Sequence, residues 1–442
     1  SARQLDLSII LLSRLFTVHK TNEIFEKAEE YANSHKVSKK TGILLSNREF
    51  YVNTIEPVME FLRGRNPELA IRFAQRSFWQ DTQRIPSEED LEFDFGISGT
   101  TDRAKHLCSM FLKDICDIIT ITDPNFQLIR YAEHLSTYLE TFAPIEQEAA
   151  KPHTIVTDTM IEMLESEITR LKPRLIGFSI PFPGNLLAAI QCCRHIKEKH
   201  PDIKIIMGGG YVNTELRQLS DVTLFKYIDY LTFDDGEVPL LRIVKNESLI
   251  RCMTFDGNRL VRHEMDSKET ESIYTMEEAA GFKNYANELY FDFVDTTNPM
   301  HRLWSDGRWN KIMLAHGCYW HKCAFCDTSL DYICNFYPHD ISRIVDIMEA
   351  MTKATGSRGF HFIDEAAPPA LLRKLAEEII DRKLTVSYWT NIRFDSTFTP
   401  ELCYLLAKSG CIAVSGGLEV ASTRVLKLIN KGVTIESATE CM

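Results

Sequence analysis

The stretch that decides the fold reads Lys311-Ile312-Met313-Leu314-Ala315-His316-Gly317-Cys318-Tyr319-Trp320-His321-Lys322-Cys323-Ala324-Phe325-Cys326, a short apolar strand followed by three cysteines on one loop. Three thiolates can bind three corners of a cubane iron–sulfur cluster and leave the fourth iron without a protein ligand. An open iron suits a cluster that binds and reduces a small molecule. Three thiolates with His316, His321 or Cys334 could also complete a structural zinc site, so the loop alone does not decide between an iron–sulfur cluster and zinc.

Strand and helix patterns alternate after this loop. The predicted strands are residues 311–315, 359–363, 384–389 and 411–414, and the predicted helices are residues 339–355, 371–382 and 400–409, with a helix start at 434–441. Alternation at this spacing predicts a parallel sheet with helices outside it. Such α/β folds place their chemistry at the carboxyl ends of the strands.

Polar residues follow three of these strands. Asp364, Glu365 and Ala366 come after the second strand, Arg393 after the third, and Ser415 and Glu419 after the fourth. Taken singly, an Asp-Glu pair is common as a helix cap, and a Gly-Gly pair is common in a tight turn.

The cysteine loop and these strand ends resemble the radical S-adenosylmethionine (SAM) superfamily. Phe325 matches the aromatic residue before the third cysteine, and Ala324-Phe325 match the two-residue second gap. The first gap, residues 319–322, has four residues where the family usually has three, which a surface loop absorbs at low cost. The resemblance favours a cluster over zinc and implies a [4Fe–4S] cluster on Cys318, Cys323 and Cys326, with Cys334 outside the ligand set.

The same resemblance implies a SAM site at the strand ends. The segment 364–366 matches the part of the family that meets the methionine amino group. Arg393 resembles the basic residue suited to the SAM carboxylate. Ser415 and Glu419 resemble polar positions that hydrogen-bond the ribose or the amino acid.

A second α/β pattern precedes the cysteine loop. Buried strands are predicted at residues 173–180, 203–207 and 227–232, with a helix at 185–200, which indicates a doubly wound, Rossmann-like domain. Each strand is followed by a loop rich in glycine or acidic residues, where a ligand or backbone can approach closely. A nucleotide-binding domain is a weaker interpretation, since no Gly-x-Gly-x-x-Gly follows a first strand.

These loops resemble the cobalamin-binding domain that precedes the barrel in B12-dependent radical SAM proteins. The resemblance covers roughly residues 150 to 442. The implied cobalamin-binding residues are Ser179, Pro181, Phe182, Gly184, Asn185, Gly208, Gly209, Gly210, Tyr211, Asp234, Asp235, Gly236 and Glu237. No Asp-x-His-x-x-Gly occurs, so no histidine is assigned as the lower ligand of cobalt. A Rossmann-like domain that binds no corrinoid is the alternative.

The remaining parts of the chain are predicted as connecting or helical regions. Residues 1–150 form a mostly helical region, with a first strand at Leu5 to Phe16, after which the helices could be inserted into the cobalamin-like domain at 151–245. It could cap the corrinoid, recognise substrate or act as a scaffold. Residues 246–305 form a linker with a hairpin at 250–262, followed by Trp304 and Trp309, which are predicted to pack beneath the cysteine loop. Predicted helices lie at 21–34, 52–63, 101–119 and 126–142, and predicted loops at 86–90 and 146–152.

Composition excludes several classes of protein. Of 442 residues, 44% are hydrophobic, enough to fill the cores of about three domains. Twelve cysteines and the lack of a recognisable leader argue for a reducing compartment, which predicts a cytoplasmic protein. A net charge of −12 disfavours nucleic-acid binding, and no segment is apolar and long enough to predict a membrane span.

Together these features predict a cobalamin-dependent radical SAM enzyme that methylates a poorly reactive carbon or phosphorus centre. In the family mechanism, the reduced cluster cleaves SAM to a 5′-deoxyadenosyl radical, and methylcobalamin donates the methyl group. A non-methylating B12 enzyme or a sensor without turnover is the alternative. The family further implies a small-molecule or peptide substrate and a low-potential electron donor such as flavodoxin or ferredoxin.

The barrel pattern is shorter than the six strand–helix units usual in this family. About four units are recognisable in residues 306–442. We therefore expect either a truncated protein or a partial barrel that a partner closes.

Overall fold

The structure, a computed structural model, describes most of the chain. The described residues are 2–82, 84–96, 99–128, 133–136, 141–234, 236–264, 287–295, 309–328 and 330–442. They form two compact units. The N-terminal unit contains the described residues of 5–264 together with 287–295, and the C-terminal unit contains those of 309–442. The domain boundaries expected from the sequence stay a prediction.

Helices dominate the first part of the N-terminal unit. Their bounds are α1 Leu7–Leu15, α2 Val18–Ser34, α3 Lys39–Ser46, α4 Arg48–Leu62, α5 Leu69–Phe73, α6 Glu88–Phe95, α7 Thr100–Ile119, α8 Glu133–Ser136, α9 Ala143–Ala149 and α10 Ile155–Leu171. Their apolar faces enclose a core around Tyr51 and Phe111, whose rings stack 5.0 Å apart. Helices therefore make up most of the described residues in this part of the unit.

The predicted first strand at Leu5 to Phe16 is wrong, because these residues form α1. The Asp6 carboxylate caps this helix by accepting a hydrogen bond from the Ile9 amide at 3.1 Å. Leu11 and Leu15 are one helical turn apart, and Leu15 is fully buried. An apolar run rich in isoleucine favours a strand by propensity, but packing of the helical face decides the conformation here.

Three other predictions for this region need correction. Residues 88–90 and 146–149, expected in loops, begin α6 and end α9, respectively. The helix expected at 126–142 is seen only as α8 among the described residues, and residues 126–128 are not helical. Ser87 caps α6 through its hydroxyl, which accepts from the Asp90 amide, so the acidic run at 88–90 lies in a helix first turn.

A five-stranded sheet forms the second part of the N-terminal unit. Its strands are β1 Leu175–Ser179, β2 Lys204–Gly208, β3 Tyr230–Thr232, β4 Cys252–Phe255 and β5 Leu260–His263, with helices α11 Leu186–Lys199, α12 Gly210–Thr214 and α13 Glu237–Lys245. The first three strands are parallel, and β4 and β5 form the predicted antiparallel hairpin. Strand order follows chain order, so the reversal typical of a doubly wound sheet does not occur among the described strands.

The C-terminal unit contains the parallel sheet that the sequence predicts. Its strands are β6 Asn310–Ile312, β9 Gly359–Phe362, β10 Ser387–Asn391 and β11 Cys411–Ser415, and the pair β7 Ala315–His316 and β8 Tyr337–Pro338 lies apart from it. Its helices are α14 Asp331–Cys334, α15 Ile341–Thr355, α16 Pro369–Asp381, α17 Pro400–Ser409, α18 Thr423–Leu428 and α19 Ile435–Cys441. The sheet order is β11-β10-β9-β6, with every neighbouring pair parallel.

The helices of this unit pack on the sheet through alternate strand residues. Phe360, Phe362 and Tyr388 are fully buried against Ile344 and Leu375. The carboxyl ends of β9, β10 and β11 therefore lie side by side at one edge. None of the helices within the described ranges is both long and apolar enough to cross a bilayer.

Candidate active site

The cysteine loop begins where the first strand of the C-terminal sheet is interrupted. The predicted strand 311–315 is split into β6 and β7, because the Leu314 amide leaves the sheet and donates to the Asp364 carboxylate. The Ala315 amide donates to the same carboxylate at 3.0 Å. Asp364 is 2% exposed and follows β9. Its side chain thus holds the start of the cysteine loop against the end of a strand.

The three predicted cluster ligands line one cavity of about 400 Å³. Cys323 is buried, while Cys318 and Cys326 are partly exposed. Cys334 is also described and does not line this cavity. The structure therefore brings together the three cysteines that the spacing predicts.

The environment of these thiols combines burial with positive charge. Burial raises the pKa of Cys323, and the charges of Lys431 and Arg393 oppose that rise. Burial also raises the pKa of Cys326, as does negative charge on the two neighbouring cysteines. Three thiolates at one site repel one another unless cations balance them, and iron would supply most of that charge.

The geometry of the donors bears on the choice between zinc and a cluster. Within the part of the chain that the structure describes, no three His, Cys, Asp or Glu side chains could hold a single metal ion. His321 lines the cavity, but its Nδ1 atom lies 3.0 Å from the Cys318 carbonyl oxygen. In a cubane each thiolate binds a different iron, so the three sulfurs need not converge on one point. Three thiolates on one loop are the donor set that a cluster with one open iron requires.

Strand ends supply the opposite wall of the cavity. Of the six residues predicted to bind SAM, five line it: Glu365, Ala366, Arg393, Ser415 and Glu419. Burial raises the pKa of Glu365. Asn391, at the end of β10, also lines the cavity and accepts a hydrogen bond from the Ser415 hydroxyl. The order of elements in the sequence thus predicts most of this wall.

Asp364 is the exception among the six predicted residues. It does not line the cavity, and its carboxylate accepts three hydrogen bonds from the two backbone amides described above. Burial raises the pKa of Asp364 to about 6, which the backbone donors oppose. Its contacts in the structure are those of a residue that positions the loop.

Arg393 lines the cavity but already has several protein partners. Its Nη2 atom donates to the Lys431 carbonyl at 2.7 Å, and its Nη1 atom lies 3.6 Å from the Asp395 carboxylate. The guanidinium carbon is 4.2 Å from the centre of the Trp320 ring. Its Nε atom, which is buried, has no hydrogen-bond partner among the described atoms.

Lys431 is a cavity residue that the sequence does not predict. It is 8% exposed, its ammonium lies 2.8 Å from the Glu419 carboxylate, and it lies 5.3 Å from the centre of the Phe325 ring. It belongs to the loop between α18 and α19, away from any strand end. The adjacent Gly432, with φ of +72°, is a local signal of a special backbone position.

The predicted cobalamin loops of the N-terminal unit contact one another at the ends of β1, β2 and β3. The Ile180 amide donates to the Gly208 carbonyl at 2.7 Å, and the Tyr211 amide donates to the Ile180 carbonyl at 3.0 Å. The Asp234 amide donates to the Asn213 side chain at 2.7 Å. Three of the predicted segments therefore form one continuous edge of the sheet.

Gly209 shows why glycines occur in this edge. A Cβ atom at this position would lie 2.7 Å from the Ile180 amide nitrogen, and its φ is +109°. The close approach that requires glycine is therefore made by the protein backbone itself. This contact explains the residue without invoking a ligand.

The residues predicted to bind cobalamin differ in their exposure and in their protein partners. Tyr211 is buried and donates from its hydroxyl to the Ser136 carbonyl at 2.6 Å, and the Asp234 carboxylate pairs with Arg217 at 2.6 Å. Phe182 is 69% exposed. The other exposed positions are Ser179, Pro181, Gly210, Gly236 and Glu237, the half-buried ones are Gly184, Asn185, Gly208 and Gly209, and Asp235 lies outside the described residues.

The two tryptophans predicted beneath the cysteine loop have different outcomes. Trp304 lies outside the described residues. Trp309 packs on Gly359 of β9, where an added Cβ would lie 2.8 Å from its ring. Trp320, a residue of the loop itself, contacts Arg393 and Asn430.

Comparison with known proteins finds two relatives that are named as methyltransferases. No protein-family model matches the chain. It is 28% identical over 318 residues to an uncharacterized methyltransferase of Pyrococcus horikoshii, covering 69% of this chain and 64% of the relative. It is 32% identical over 114 residues, 25% of each protein, to bacteriochlorophyllide d C-12(1)-methyltransferase of Chlorobaculum tepidum. The chain thus spans less than two thirds of the length of the curated relatives that it matches.

A solved structure is similar over 64% of this chain and 41% of its own. It is the cobalamin-dependent SAM radical enzyme OxsB, in a structure with aqua-cobalamin and SAM bound, at a TM-score of 0.48 and 15% identity. The apo form of the same enzyme matches with a TM-score of 0.45 and 17% identity.

Proposed function

We propose that this chain is a cobalamin-dependent radical SAM enzyme, and that the reaction is methyl transfer to an unactivated carbon or phosphorus centre. One observation carries the proposal. Three thiols of a single loop line the same cavity as the carboxyl ends of three neighbouring parallel strands. Similarity to two proteins named as methyltransferases supports methyl transfer over other chemistry.

The residues of the cavity fit a [4Fe–4S] cluster with SAM. Cys318, Cys323 and Cys326 would bind three irons and leave the fourth iron open to the cavity. When bound, the cluster would supply the single electron for reductive cleavage of SAM. The positive charges of Lys431 and Arg393 suit a carboxylate, and the buried Nε of Arg393 has a hydrogen bond to offer.

The carboxylates of the cavity suit the remaining groups of SAM. Glu365 is positioned at the end of β9, where it could accept hydrogen bonds from the amino group. Glu419 could accept hydrogen bonds from ribose hydroxyls. Its carboxylate also pairs with Lys431, so it would bind the ammonium and the hydroxyls at the same time. These two residues bind and orient the cofactor, and the enclosing walls exclude water from a reactive radical.

The edge of β1, β2 and β3 in the N-terminal unit fits cobalamin. The exposed side chains of Pro181 and Phe182 supply apolar surface on which a corrin ring could lie. A Cβ atom at Gly177 of β1 would meet open space. When bound, cobalamin would carry the methyl group, with no histidine assigned as its lower ligand. Cofactors of this kind supply the difficult chemistry, and the protein supplies position and shielding.

Partners and location follow from this proposal. A low-potential electron donor such as flavodoxin or ferredoxin would reduce the cluster. The substrate would be a small molecule or a peptide. The protein would act in the cytoplasm, with no nucleic acid or membrane as a partner. The net charge of −12 supports the exclusion of nucleic acid.

The test is anaerobic reconstitution of the purified chain with iron and sulfide. We expect about four irons and four sulfides per chain and broad absorbance near roughly 400 nm. Cys318→Ala should abolish both, and Cys334→Ala, the matched control, should leave both unchanged. A purified protein with one zinc and no sulfide would refute the proposal.

Three further measurements separate the functions that remain. Equilibrium dialysis should show cobalamin retained by the reconstituted protein, and its absence would remove the methyltransferase proposal. With a chemical reductant and SAM, 5′-deoxyadenosine release would distinguish an enzyme from a sensor. S-adenosylhomocysteine formation would distinguish methyl transfer from other cobalamin chemistry.

A further inference from the structure

The additional residue in the first gap of the cysteine loop has a defined place in the structure. Four residues separate Cys318 from Cys323, and Trp320 is the second of them. Its indole Nε1 donates to the Asn430 carbonyl at 2.9 Å. The side chain therefore reaches from the cysteine loop to the loop between α18 and α19, more than a hundred residues later in the chain.

The same indole is enclosed by two further groups. A Cβ atom at Gly432 would lie 2.0 Å from the nearest atom of the Trp320 ring, so only glycine allows this approach. The Arg393 guanidinium carbon lies 4.2 Å from the ring centre, within the range of a cation–π contact. Trp320 is thereby in contact with both a strand end and residues 429–432.

The backbone reinforces this connection on both sides of Cys323. The Ala324 amide donates to the Ile429 carbonyl at 2.9 Å. The Asn430 side-chain amide donates to the Lys322 carbonyl at 3.0 Å. Residues 429–432 therefore hold the loop between its first and second cysteines and between its second and third.

The residue after Trp320 has an unusual backbone conformation. His321 has φ of +35°, close to the left-handed region, which non-glycine residues adopt at a cost. Such a conformation persists only when its surroundings determine it. Its neighbour Trp320 makes the contacts that do so.

We propose that Trp320 is a positioning residue that holds the cysteine loop in its cluster-binding conformation before the cluster is bound. The inference rests on the proposed function, because it requires that the loop bind a cluster. A loop that is ordered in advance loses less conformational entropy when it takes up metal, so Trp320 favours uptake and slows loss.

The first experiment compares cluster retention with protein stability. Trp320→Ala, Trp320→Phe and the control Trp309→Ala are reconstituted, and the rate of cluster loss to an iron chelator is measured beside the unfolding midpoint of the metal-free proteins. We expect Trp320→Ala to lose its cluster roughly tenfold to a hundredfold faster than the parent, from the loss of a hydrogen bond and a cation–π contact. Trp320→Phe keeps a ring against Arg393 and should recover part of the loss.

The Trp309 control separates positioning from general stability. Trp309 packs on Gly359, away from the cysteine loop, so Trp309→Ala should lower the unfolding midpoint without changing the rate of cluster loss. If Trp309→Ala and Trp320→Ala speed cluster loss equally at equal loss of stability, the positioning role is wrong.

The second experiment tests the contact with Gly432 directly. Gly432→Ala should speed cluster loss in the parent, where the methyl group meets the indole, and much less in the Trp320→Ala background. Gly356→Ala is the control for backbone strain, because Gly356 has φ of +75° and no atom within 4 Å of an added Cβ. Equal effects of Gly432→Ala in both backgrounds would refute the contact.

The outcomes distinguish the inference from the function on which it rests. A parent protein that binds no cluster overturns the proposed function and this inference together. A parent that binds a cluster, with Trp320→Ala releasing it at the parent rate, overturns the inference alone.

Discussion

Arg393 is the residue for which the structure most changes the expected effect of a mutation. By its position after β10 the sequence predicts a SAM ligand whose loss weakens binding and leaves the cluster unchanged. In the structure this guanidinium is 7% exposed. It donates to the Lys431 carbonyl, lies 3.6 Å from the Asp395 carboxylate and stacks on Trp320. We therefore expect Arg393→Ala to lower the stability of the metal-free C-terminal unit as well.

The magnitude follows from these contacts. A hydrogen bond from a charged donor contributes about 1.5–3 kcal/mol, and a partly desolvated cation–π contact contributes about 0.5–2 kcal/mol. Removing the cation also leaves Asp395, whose side chain is 16% exposed, without its nearest positive charge. Breaking a buried pair from one side costs about 3–5 kcal/mol, which is consistent with the sum of the two contacts. We expect Arg393→Ala to lower the free energy of unfolding by about 3–4 kcal/mol.

Urea denaturation of the metal-free proteins measures this effect. Unfolding followed by tryptophan fluorescence reports on all five tryptophans of the chain together, Trp320 among them, and circular dichroism at each urea concentration reports on the whole chain. The two probes need not coincide, because the chain has two compact units. The loss should appear in the transition seen by circular dichroism that belongs to the C-terminal unit.

Arg382→Ala is the matched control. Arg382 pairs with Asp346 at 2.5 Å and with Glu378 at 2.9 Å, so it has more ion pairs than Arg393, but these lie at the surface. Exposed pairs contribute about 0–1 kcal/mol each, and we expect a loss of about 1 kcal/mol or less. If Arg393→Ala unfolds within about 1 kcal/mol of the parent, the burial argument is refuted and Arg393 is free to serve SAM alone.

Three further predictions concern other parts of the chain. Lys431→Met and Glu419→Gln should each weaken SAM binding roughly tenfold to a hundredfold with iron content unchanged, measured by titration calorimetry; unchanged affinity in both would remove this pair from the SAM site. Burial would raise the pKa of Glu165, but hydrogen bonds from two histidine side chains lower it below its usual value. Its stabilising contribution is therefore present above about pH 4.3 and lost as pH falls. Glu165→Gln should be less stable than the parent at pH 7, and denaturant titrations should show this difference shrinking as pH falls below about 4.3, whereas a constant difference would contradict this. Gly209→Val should reduce the yield of folded protein even without cobalamin, because its Cβ would lie 2.7 Å from the Ile180 amide nitrogen; a well-folded variant that merely fails to bind cobalamin would instead assign the glycine to the ligand.

The elements of the C-terminal unit could be predicted because local pattern and tertiary packing agree there. The helix expected at 400–409 is observed as Pro400–Ser409, and the strand expected at 411–414 is observed as Cys411–Ser415. Leu402 and Leu406 repeat at the helical period and are buried, and Pro400 and Gly410 mark the two ends. Where period, caps and burial coincide, residue patterns are sufficient.

The first segment of the chain shows the opposite case. The run at residues 9–12 is uniformly apolar, so it has no period that separates a strand from a helix. Its conformation depends on the Asp6 cap and on burial of Leu15, and burial depends on partners far along the chain. A helix at this place also removes the first strand that a doubly wound sheet would have required.

Some residues of the candidate site could likewise be predicted from local sequence, and others could not. Cys318, Cys323 and Cys326 are local in sequence, so their spacing is enough to predict that they line one cavity. Lys431 contributes charge from a loop with neither period nor strand, so only the folded chain reveals it. Residues that reach a site through a long loop carry no local signal beyond a special glycine.

Asp364 shows how a correct position can carry a different role. An acidic residue at a strand end faces several backbone amides that lack partners in the sheet, and a carboxylate is the side chain best able to accept from more than one of them. Here the amides of Leu314 and Ala315 take both of its oxygens. Because these two residues immediately precede the cysteine loop, the carboxylate determines where the loop leaves the sheet. Trp320 and residues 429–432 then determine where it goes, so the loop is held at both its start and its middle.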